Sequence, residues 1–116
     1  MSETIEALLI PVDEPPRWVT IPLADDSGLA ATQSLVGGYV EAVGDHRATV
    51  FLNEEGKLFG LDRNLQATAL CHRQSWIRAA DWVAGPAVIA GPPGPGGETT
   101  SASHDLIAEL ITDLLS

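Results

Sequence analysis

The chain has 116 residues, 45% of them apolar, and its 16 acidic and six basic residues give a net charge of −10. This length and apolar content suit one globular domain with its own core, and they exclude a disordered chain. Because the net negative charge repels phosphate groups at long range, we expect neither nucleic acid nor a membrane surface as a partner.

The compartment can be inferred from two further features. No apolar run approaches the roughly 18 residues that a membrane-spanning helix needs. Cys71 is the only cysteine, which excludes a disulfide within the chain. A reducing compartment is therefore the simplest one, and we expect the protein in the cytoplasm.

The alternation of apolar and polar residues and the turn residues predict most elements up to residue 91. Asp26 or Ser27 can cap a short helix that ends at Gly37, and a four-residue turn that ends at Gly56 suits a hairpin loop. Pro86 favours an edge position or a bulge for the last strand. In chain order we predict strands over 5–12 and 17–23, a helix over 29–36, a strand over 39–43, a hairpin of strands over 47–52 and 57–61, a helix over 64–80 and a strand over 82–90.

The end of the chain has a different composition. Residues 92–103 are a linker rich in glycine and proline, which separates a predicted domain over 1–91 from an amphipathic helix over 104–116 that Ser103 can cap. Its apolar stripe must be buried, because so short a helix is marginal alone in water. The stripe either folds back on its own sheet or docks on a second protomer or a host protein. The candidate partner-binding residues are Leu106, Ile107, Leu110, Ile111 and Leu114.

The middle third of the chain contains the residues best suited to bind a small ligand. Arginines supply forked donors for an anion, and a tryptophan supplies a surface for a nucleotide base. The alternative is a purely structural role, in which the arginines are salt-bridged at the surface and the tryptophan lies in the core. The candidate ligand-binding residues are Arg63, Asn64, Thr68, His72, Arg73, Trp76 and Arg78.

No pattern in the chain predicts catalysis or a metal site. The three histidines are scattered, none at zinc spacing with an acid, and one cysteine cannot build a thiolate site. Cys71 and His72 are neighbours on a predicted helix, where adjacent side chains do not face each other. We therefore expect no enzyme, no catalytic residue, no metal and no cofactor.

Three short segments, read together, carry a family resemblance. They are ALLIP at 7–11, LVGGYVE at 35–41 and NEEGKLFGL at 53–61. In this order and spacing they resemble small phage and bacterial proteins grouped as domain-of-unknown-function family 3846, over roughly residues 5 to 91. The resemblance brings no catalytic residues, and it implies a phage accessory role in which small acidic proteins often act by binding.

These observations lead to one expectation for the fold and two for the function. We expect an α+β fold with a mixed, mostly antiparallel sheet and two or three helices packed on it. The first functional expectation is a non-catalytic accessory protein of phage type that binds and modulates a host protein in the host cytoplasm. The alternative is a protein that binds or sequesters a small anion or nucleotide. A homodimer is also expected, from the terminal apolar stripe and the edge position assigned to Pro86.

Overall fold

The computed structural model describes residues 3–115, without the side chain of Leu115. Residues 1 and 2 of the predicted domain and Ser116 of the predicted terminal helix lie outside this range. Within it the α+β prediction is confirmed, since one sheet of five strands is combined with three α-helices. In chain order the elements are β1 (Thr4–Ile10), β2 (Arg17–Pro22), α1 (Leu29–Val36), β3 (Val40–Gly44), β4 (Thr49–Asn53), α2 (Leu65–Arg73), β5 (Ala87–Ala90) and α3 (His104–Leu115).

The sheet has the strand order β2-β1-β5-β4-β3, and every described pairing in it is antiparallel. The last strand in the sequence, β5, is thus the central strand. All four of its residues are buried, as is typical of a strand covered on both faces. The two outer strands, β2 and β3, form the free edges of the sheet.

Alternate residues of each strand point to two separate cores. One face of the sheet packs against α2 and α3, and the opposite face packs against α1. The first core includes Leu8, Ile10, Val50, Leu52, Ile89, Ile107 and Leu110. The second includes Ile5, Leu9, Ile21, Val36 and Val88. This separation follows from the period of two in side-chain direction along a strand.

The predicted hairpin over 47–52 and 57–61 is wrong. β4 pairs with β3, and the tight turn between them is closed by hydrogen bonds of Asp45 with Ala48 and Arg47. Residues 54–60 form successive turns, because the Gly56 N–H bonds to the Asn53 carbonyl and the Phe59 N–H to the Glu55 carbonyl. The Asn53–Gly56 segment does form a turn, but it is followed by further turns and not by a strand.

Two other predicted elements are shorter than expected. The helix predicted over 64–80 ends at Arg73, because Ser75 adopts a left-handed φ of 59° and the Trp76 N–H turns back to the Cys71 carbonyl. The strand predicted over 82–90 is confined to β5. Pro86 lies immediately before this strand, where a missing N–H does not interrupt the ladder, so the edge position assigned to it is wrong.

The segment between β5 and α3 is held to the rest of the molecule by hydrogen bonds. The Gly91 N–H bonds to the Thr100 carbonyl, which closes a loop over 92–99. The chain then runs beside β1, where the Ala102 N–H bonds to the Glu6 carbonyl and the Glu6 N–H bonds to Ser101 Oγ. As predicted, Ser103 caps α3, with its Oγ accepting from the Leu106 N–H. This path brings α3 onto the same face as α2.

Candidate functional site

Asn64, the amide residue of the predicted ligand set, is fully buried and serves the fold. Its Nδ2 donates to the carbonyls of Ile10 at 2.9 Å and Gly85 at 3.0 Å. Its Oδ1 accepts from the Ala67 N–H at 2.9 Å and caps the start of α2. With both amide hydrogens engaged and no exposed surface, Asn64 is not available to a ligand.

Thr68 and Trp76 also have structural positions. Thr68 Oγ1 accepts a hydrogen bond of 2.9 Å from the Val83 N–H, and this bond joins α2 to the chain before β5. Trp76 lies in the core with α2 and α3, and its Nε1 has no hydrogen-bond partner. The Arg47 guanidinium lies 5.9 Å from the centre of its ring. Trp76 is therefore a core residue and not an exposed stacking surface.

His72 and Arg73 are exposed but point to different neighbours. His72 Nε2 lies 2.7 Å from the Asp81 carbonyl, so this nitrogen must carry the proton of the bond. Arg73 pairs with Asp113 of α3 at 3.3 Å, and this hydrogen bond is the largest cause that lowers the pKa of the Asp113 carboxyl. The predicted seven-residue set thus does not converge on one cavity.

Arg63 belongs to a cluster that sequence reasoning identified only in part. Its guanidinium carbon lies 4.5 Å from the centre of the Trp82 ring, and Lys57 Nζ lies 4.3 Å from the same ring. We call Lys57, Arg63 and Trp82 the Trp82 cluster. Lys57 also pairs with Asp81, and this bond is the largest cause that lowers the pKa of the Asp81 carboxyl, with Arg78 a smaller, coulombic cause. Periodicity could not find Lys57 and Trp82, because a loop and a distant segment bring them together.

The apolar stripe of α3 packs mainly within the protein. Ile107 and Leu110 are buried in the core, and Leu106 and Leu114 are half-buried. Ile111 remains 41% exposed. Of the five candidate partner-binding residues, two are therefore unavailable in this conformation, because the sheet of the same chain already covers them.

A different apolar surface is exposed beside the start of β3. Tyr39 and Phe59 are each 67% exposed and Leu58 is 77% exposed. We call these three residues the apolar patch. Tyr39 and Phe59 face a cleft of about 270 Å³, which we call the Tyr39 cleft, and its other lining residues are Gln33, Gly38, Asn53 and Glu55. No basic side chain lines this cleft.

Hydrogen bonds fix the backbone beneath the apolar patch. Asn53 Nδ2 donates to the Val36 carbonyl at the end of α1, and its Oδ1 accepts from the Glu55 N–H. The Glu54 N–H bonds to the Tyr39 carbonyl at 2.8 Å. Two of the three segments that carry the family resemblance, 35–41 and 53–61, thus meet here. The sequence predicts a helix end, a turn and two strands in these segments but not their contact, because that contact depends on the pairing of β3 with β4.

Gly56 explains how the loop can approach the sheet so closely. A Cβ at this position would lie 2.6 Å from the Ala84 carbonyl oxygen, well inside van der Waals contact. Only glycine fits without displacing the backbone. The loop that presents Leu58 and Phe59 is consequently packed against the chain before β5.

The described residues can be examined for metal ligands and for a reactive thiol. Among residues 3–115, no group of three or more histidine, cysteine, aspartate or glutamate side chains could hold a metal ion. Burial raises the pKa of the Cys71 thiol to about 12, which keeps it protonated and unreactive at neutral pH. In the same part of the chain, no helix has the length and apolar character needed to cross a membrane.

Comparison with known proteins identifies the family. Neither the curated proteins nor the solved structures include a match to this chain. The family model described as Domain of unknown function (DUF3846) matches residues 5–115, which extends the resemblance beyond residue 91 to include α3. The match covers nearly the whole chain, and the protein therefore belongs to the DUF3846 family.

Proposed function

We propose that this protein is a non-catalytic binding module that docks on another protein through the apolar patch. The observation that carries the proposal is the exposure of Tyr39, Leu58 and Phe59 on a backbone held by hydrogen bonds. Large apolar side chains that cluster at a surface, rimmed by polar residues, are typical of interaction sites. The preformed loop reduces the ordering cost of binding.

The composition of the patch suits a protein partner. Aromatic residues are enriched among the few residues that contribute most to the free energy of protein association. Complete burial of a large apolar side chain contributes roughly 1.5 to 3 kcal/mol, so three such residues can anchor an interface. Glu55 lines the cleft beside Tyr39 and Phe59, and the Glu54 N–H bonds to the Tyr39 carbonyl, which places a second acidic residue beside the patch. We therefore expect a partner with an apolar centre and a basic rim.

The biological setting remains that of the sequence-based expectation. An accessory protein of phage type would bind and modulate a protein of its host, in the host cytoplasm. The sequence-based expectation of a homodimer rested on an unburied stripe of α3 and on an edge position for Pro86. Neither argument applies, because α3 packs on its own sheet and Pro86 precedes a central strand. A host protein is accordingly our first choice of partner and a second copy is not.

Affinity purification from host lysate with two matched variants tests the proposal. The double variant Leu58→Ser, Phe59→Ser should lose the co-purifying protein that the unchanged chain retains, because it removes most of the apolar patch. Ile111→Ser changes an exposed apolar residue on α3 and should retain it. Loss of the partner with Ile111→Ser alone would instead assign docking to α3 and contradict the proposal.

A second candidate function is favoured by the Trp82 cluster. Two cations lie against one tryptophan in a protein that is otherwise strongly acidic, and the Arg63 guanidinium forms no described ion pair. An anionic small ligand such as a nucleotide could bind there. Calorimetric titration with mono-, di- and cyclic nucleotides tests this function. Arg63→Gln should abolish the heat and Arg17→Gln, which removes an arginine outside the Trp82 cluster at an exposed pair with Glu14, should preserve it.

A further inference from the structure

The hydrogen-bonding pattern of β3 shows which backbone groups the sheet leaves free. The Glu54 N–H bonds to the Tyr39 carbonyl and the Asp45 N–H bonds to the Ala48 carbonyl. In the register of β3 with β4, both pairs belong to one alternating series, so the odd-numbered residues of β3 bond to β4. The even-numbered residues Val40, Ala42 and Gly44 consequently point their N–H and C=O groups out of the sheet.

The two edges of the sheet are not equivalent. By the same reasoning, the Leu23 N–H to Glu3 carbonyl bond leaves Trp18, Thr20 and Pro22 of β2 facing outward. Pro22 has no N–H, and prolines are a common device that blocks an edge. β3 contains no proline, and Ala42 is an exposed small residue that does not shield its backbone. β3 is therefore the edge that can accept another strand.

The Tyr39 cleft lies directly at the beginning of this edge. Gly38 and Tyr39, which line the cleft, precede Val40 in the chain. A strand that pairs with β3 would pass the cleft and could place one side chain into it. Strand addition of this kind takes its affinity from main-chain hydrogen bonds and its specificity from side-chain pockets.

We propose that the partner contributes an extended, basic segment, which pairs with β3 as a sixth strand and seats an apolar side chain in the Tyr39 cleft. This inference rests on the proposed function and specifies its binding mode. Charge complementarity determines the choice of occupant. Glu41 is exposed on β3 and Glu55 lines the cleft, and no base lies on the strand or in the cleft. Lys57 lines a small cavity with Glu41 but is already paired with Asp81. Lysine or arginine on the added strand would meet these carboxylates across the new pairing.

The same charges argue against a second copy of this chain as the occupant. In antiparallel pairing of two β3 strands about Ala42, Glu41 lies diagonal to the Glu41 of the other copy, and a two-residue shift in register brings the two directly opposite. Like charges at such positions destabilise the pairing. Charged residues on edge strands commonly prevent self-association in this way. Glu41 thus selects a basic strand and rejects an identical one.

The test uses the full chain and a defined probe. The probe is a short peptide with blocked ends that alternates lysine with valine and carries one phenylalanine, and the control peptide has glutamate in place of lysine. At saturation, the amides of Val40, Ala42 and Gly44 should exchange with solvent at least about tenfold more slowly, because they acquire hydrogen-bond acceptors. The amides of Trp18 and Thr20 should be unchanged, and the glutamate peptide should not bind.

Proline variants provide matched controls for the edge. Ala42→Pro removes an outward N–H without breaking a bond to β4, and it should weaken peptide binding at least about tenfold. Thr20→Pro makes the same change on β2 and should have no effect. If Ala42→Pro does not fold, amide exchange in the unchanged chain still decides the matter.

Each remaining outcome contradicts the inference in a recognisable way. No binding of the lysine peptide at about 1 mM, or binding without protection of the β3 amides, would overturn strand addition. Peptide binding that requires Phe59 but not the β3 edge would overturn the binding mode and leave the proposed function standing. Protection of the β3 amides by raised protein concentration alone would identify a second copy as the occupant. The lysate experiment, which depends on Leu58 and Phe59, decides separately on the proposed function.

Discussion

At the scale of single residues, two buried asparagines join helix ends to the sheet. Asn53 donates to the last carbonyl of α1. Asn64 caps α2 and donates to two carbonyls, that of Ile10 at the end of β1 and that of Gly85 before β5. A side-chain amide suits these positions because it combines two donors with an acceptor. The same chemistry made Asn64 a candidate ligand residue in the sequence. Burial, which sequence alone does not report for one polar residue, decides between the two roles.

Asn64→Ala should be strongly destabilising. The change removes three buried hydrogen bonds, those of Nδ2 to the Ile10 and Gly85 carbonyls and that of the Ala67 N–H to Oδ1, and each buried group left unsatisfied costs about 1 to 3 kcal/mol. We expect the free energy of unfolding to fall by about 3 kcal/mol or more in denaturant titration. Gln66→Ala is the matched control, since Gln66 also donates to two backbone carbonyls, those of Pro11 and Glu14, but at a more accessible site. An equal loss from both variants would contradict the importance of burial.

The Asp45–Arg47 pair should make stability depend on pH. Two hydrogen bonds from the Arg47 guanidinium, at 2.9 Å and 3.2 Å, hold the pKa of the Asp45 carboxyl well below its usual range; burial opposes this lowering. The nearby Trp76 indole also favours the carboxylate, although its Nε1 does not reach hydrogen-bond geometry. A lowered pKa means that the folded state binds fewer protons than the unfolded state. The stabilisation is therefore complete above the ordinary pKa and is lost as the pH falls towards the folded-state value.

Asp45→Asn keeps the side-chain acceptor for the Arg47 N–H and removes the charge. We expect it to lower the free energy of unfolding at neutral pH by about 1 kcal/mol, because the pair is partly exposed. The difference from the unchanged chain should shrink as the pH falls from about 4 towards 2. Thermal unfolding at several pH values measures this. A difference that stays constant down to the lowest pH would show that the charge is not responsible.

At the scale of elements, local signals predicted the positions of helices better than they predicted which strands pair with each other. α1, its end at Gly37 and the Ser103 cap of α3 were predictable because capping acts within a few residues. The pairing of β3 with β4 was not, because the turn at Asp45–Arg47 carries a weaker turn signal than the Asn53–Gly56 segment. The central position of β5 was also not predictable, because Pro86 indicates an edge strand if it lies within the strand. In the structure β5 begins after Pro86, at Ala87.

The candidate site was less predictable than the fold for a related reason. Its parts come from the end of α1, the start of β3 and the loop after β4, and only the sheet register brings them together. Exposed aromatic residues such as Tyr39 and Phe59 look like core residues in a sequence. The family resemblance includes both segments, 35–41 and 53–61, but a sequence pattern does not show that two segments contact each other in the fold.

The residues of α3 should differ in energetic importance as their burial does. Leu110 is 1% exposed and Ile107 is 4% exposed, so replacement of either by alanine creates a cavity and should cost about 2 to 4 kcal/mol in the free energy of unfolding. Ile111→Ala, on the same helix, should cost less than about 1 kcal/mol because its side chain is largely accessible. Denaturant titration of the three variants compares them. Equal small losses would mean that α3 does not pack on the sheet in solution.

At the scale of the whole molecule, the distribution of charge is as informative as its sum. Most of the few basic residues are paired within the protein: Arg17 with Glu14, Arg47 with Asp45, Lys57 with Asp81 and Arg73 with Asp113. Most of the 16 acidic residues cannot be neutralised by six bases. The surface that remains is negative, which favours basic partners and keeps copies of the chain apart. Glu41 concentrates this effect at the sheet edge that lacks a proline.

Removal of that one charge should change the state of association. We expect the unchanged chain to be monomeric at micromolar concentration and Glu41→Val to self-associate through β3, since valine favours strands and no longer repels a second copy. Light scattering over a range of concentrations measures the mass. Addition of Ala42→Pro to the Glu41→Val chain should restore the monomer, because it removes an outward donor from the same edge. Glu3→Val, at an exposed acid distant from β3 in the sheet order, is the matched control and should remain monomeric. If the Glu41→Val chain stays monomeric at high concentration, the charge of Glu41 is not what keeps the β3 edge free.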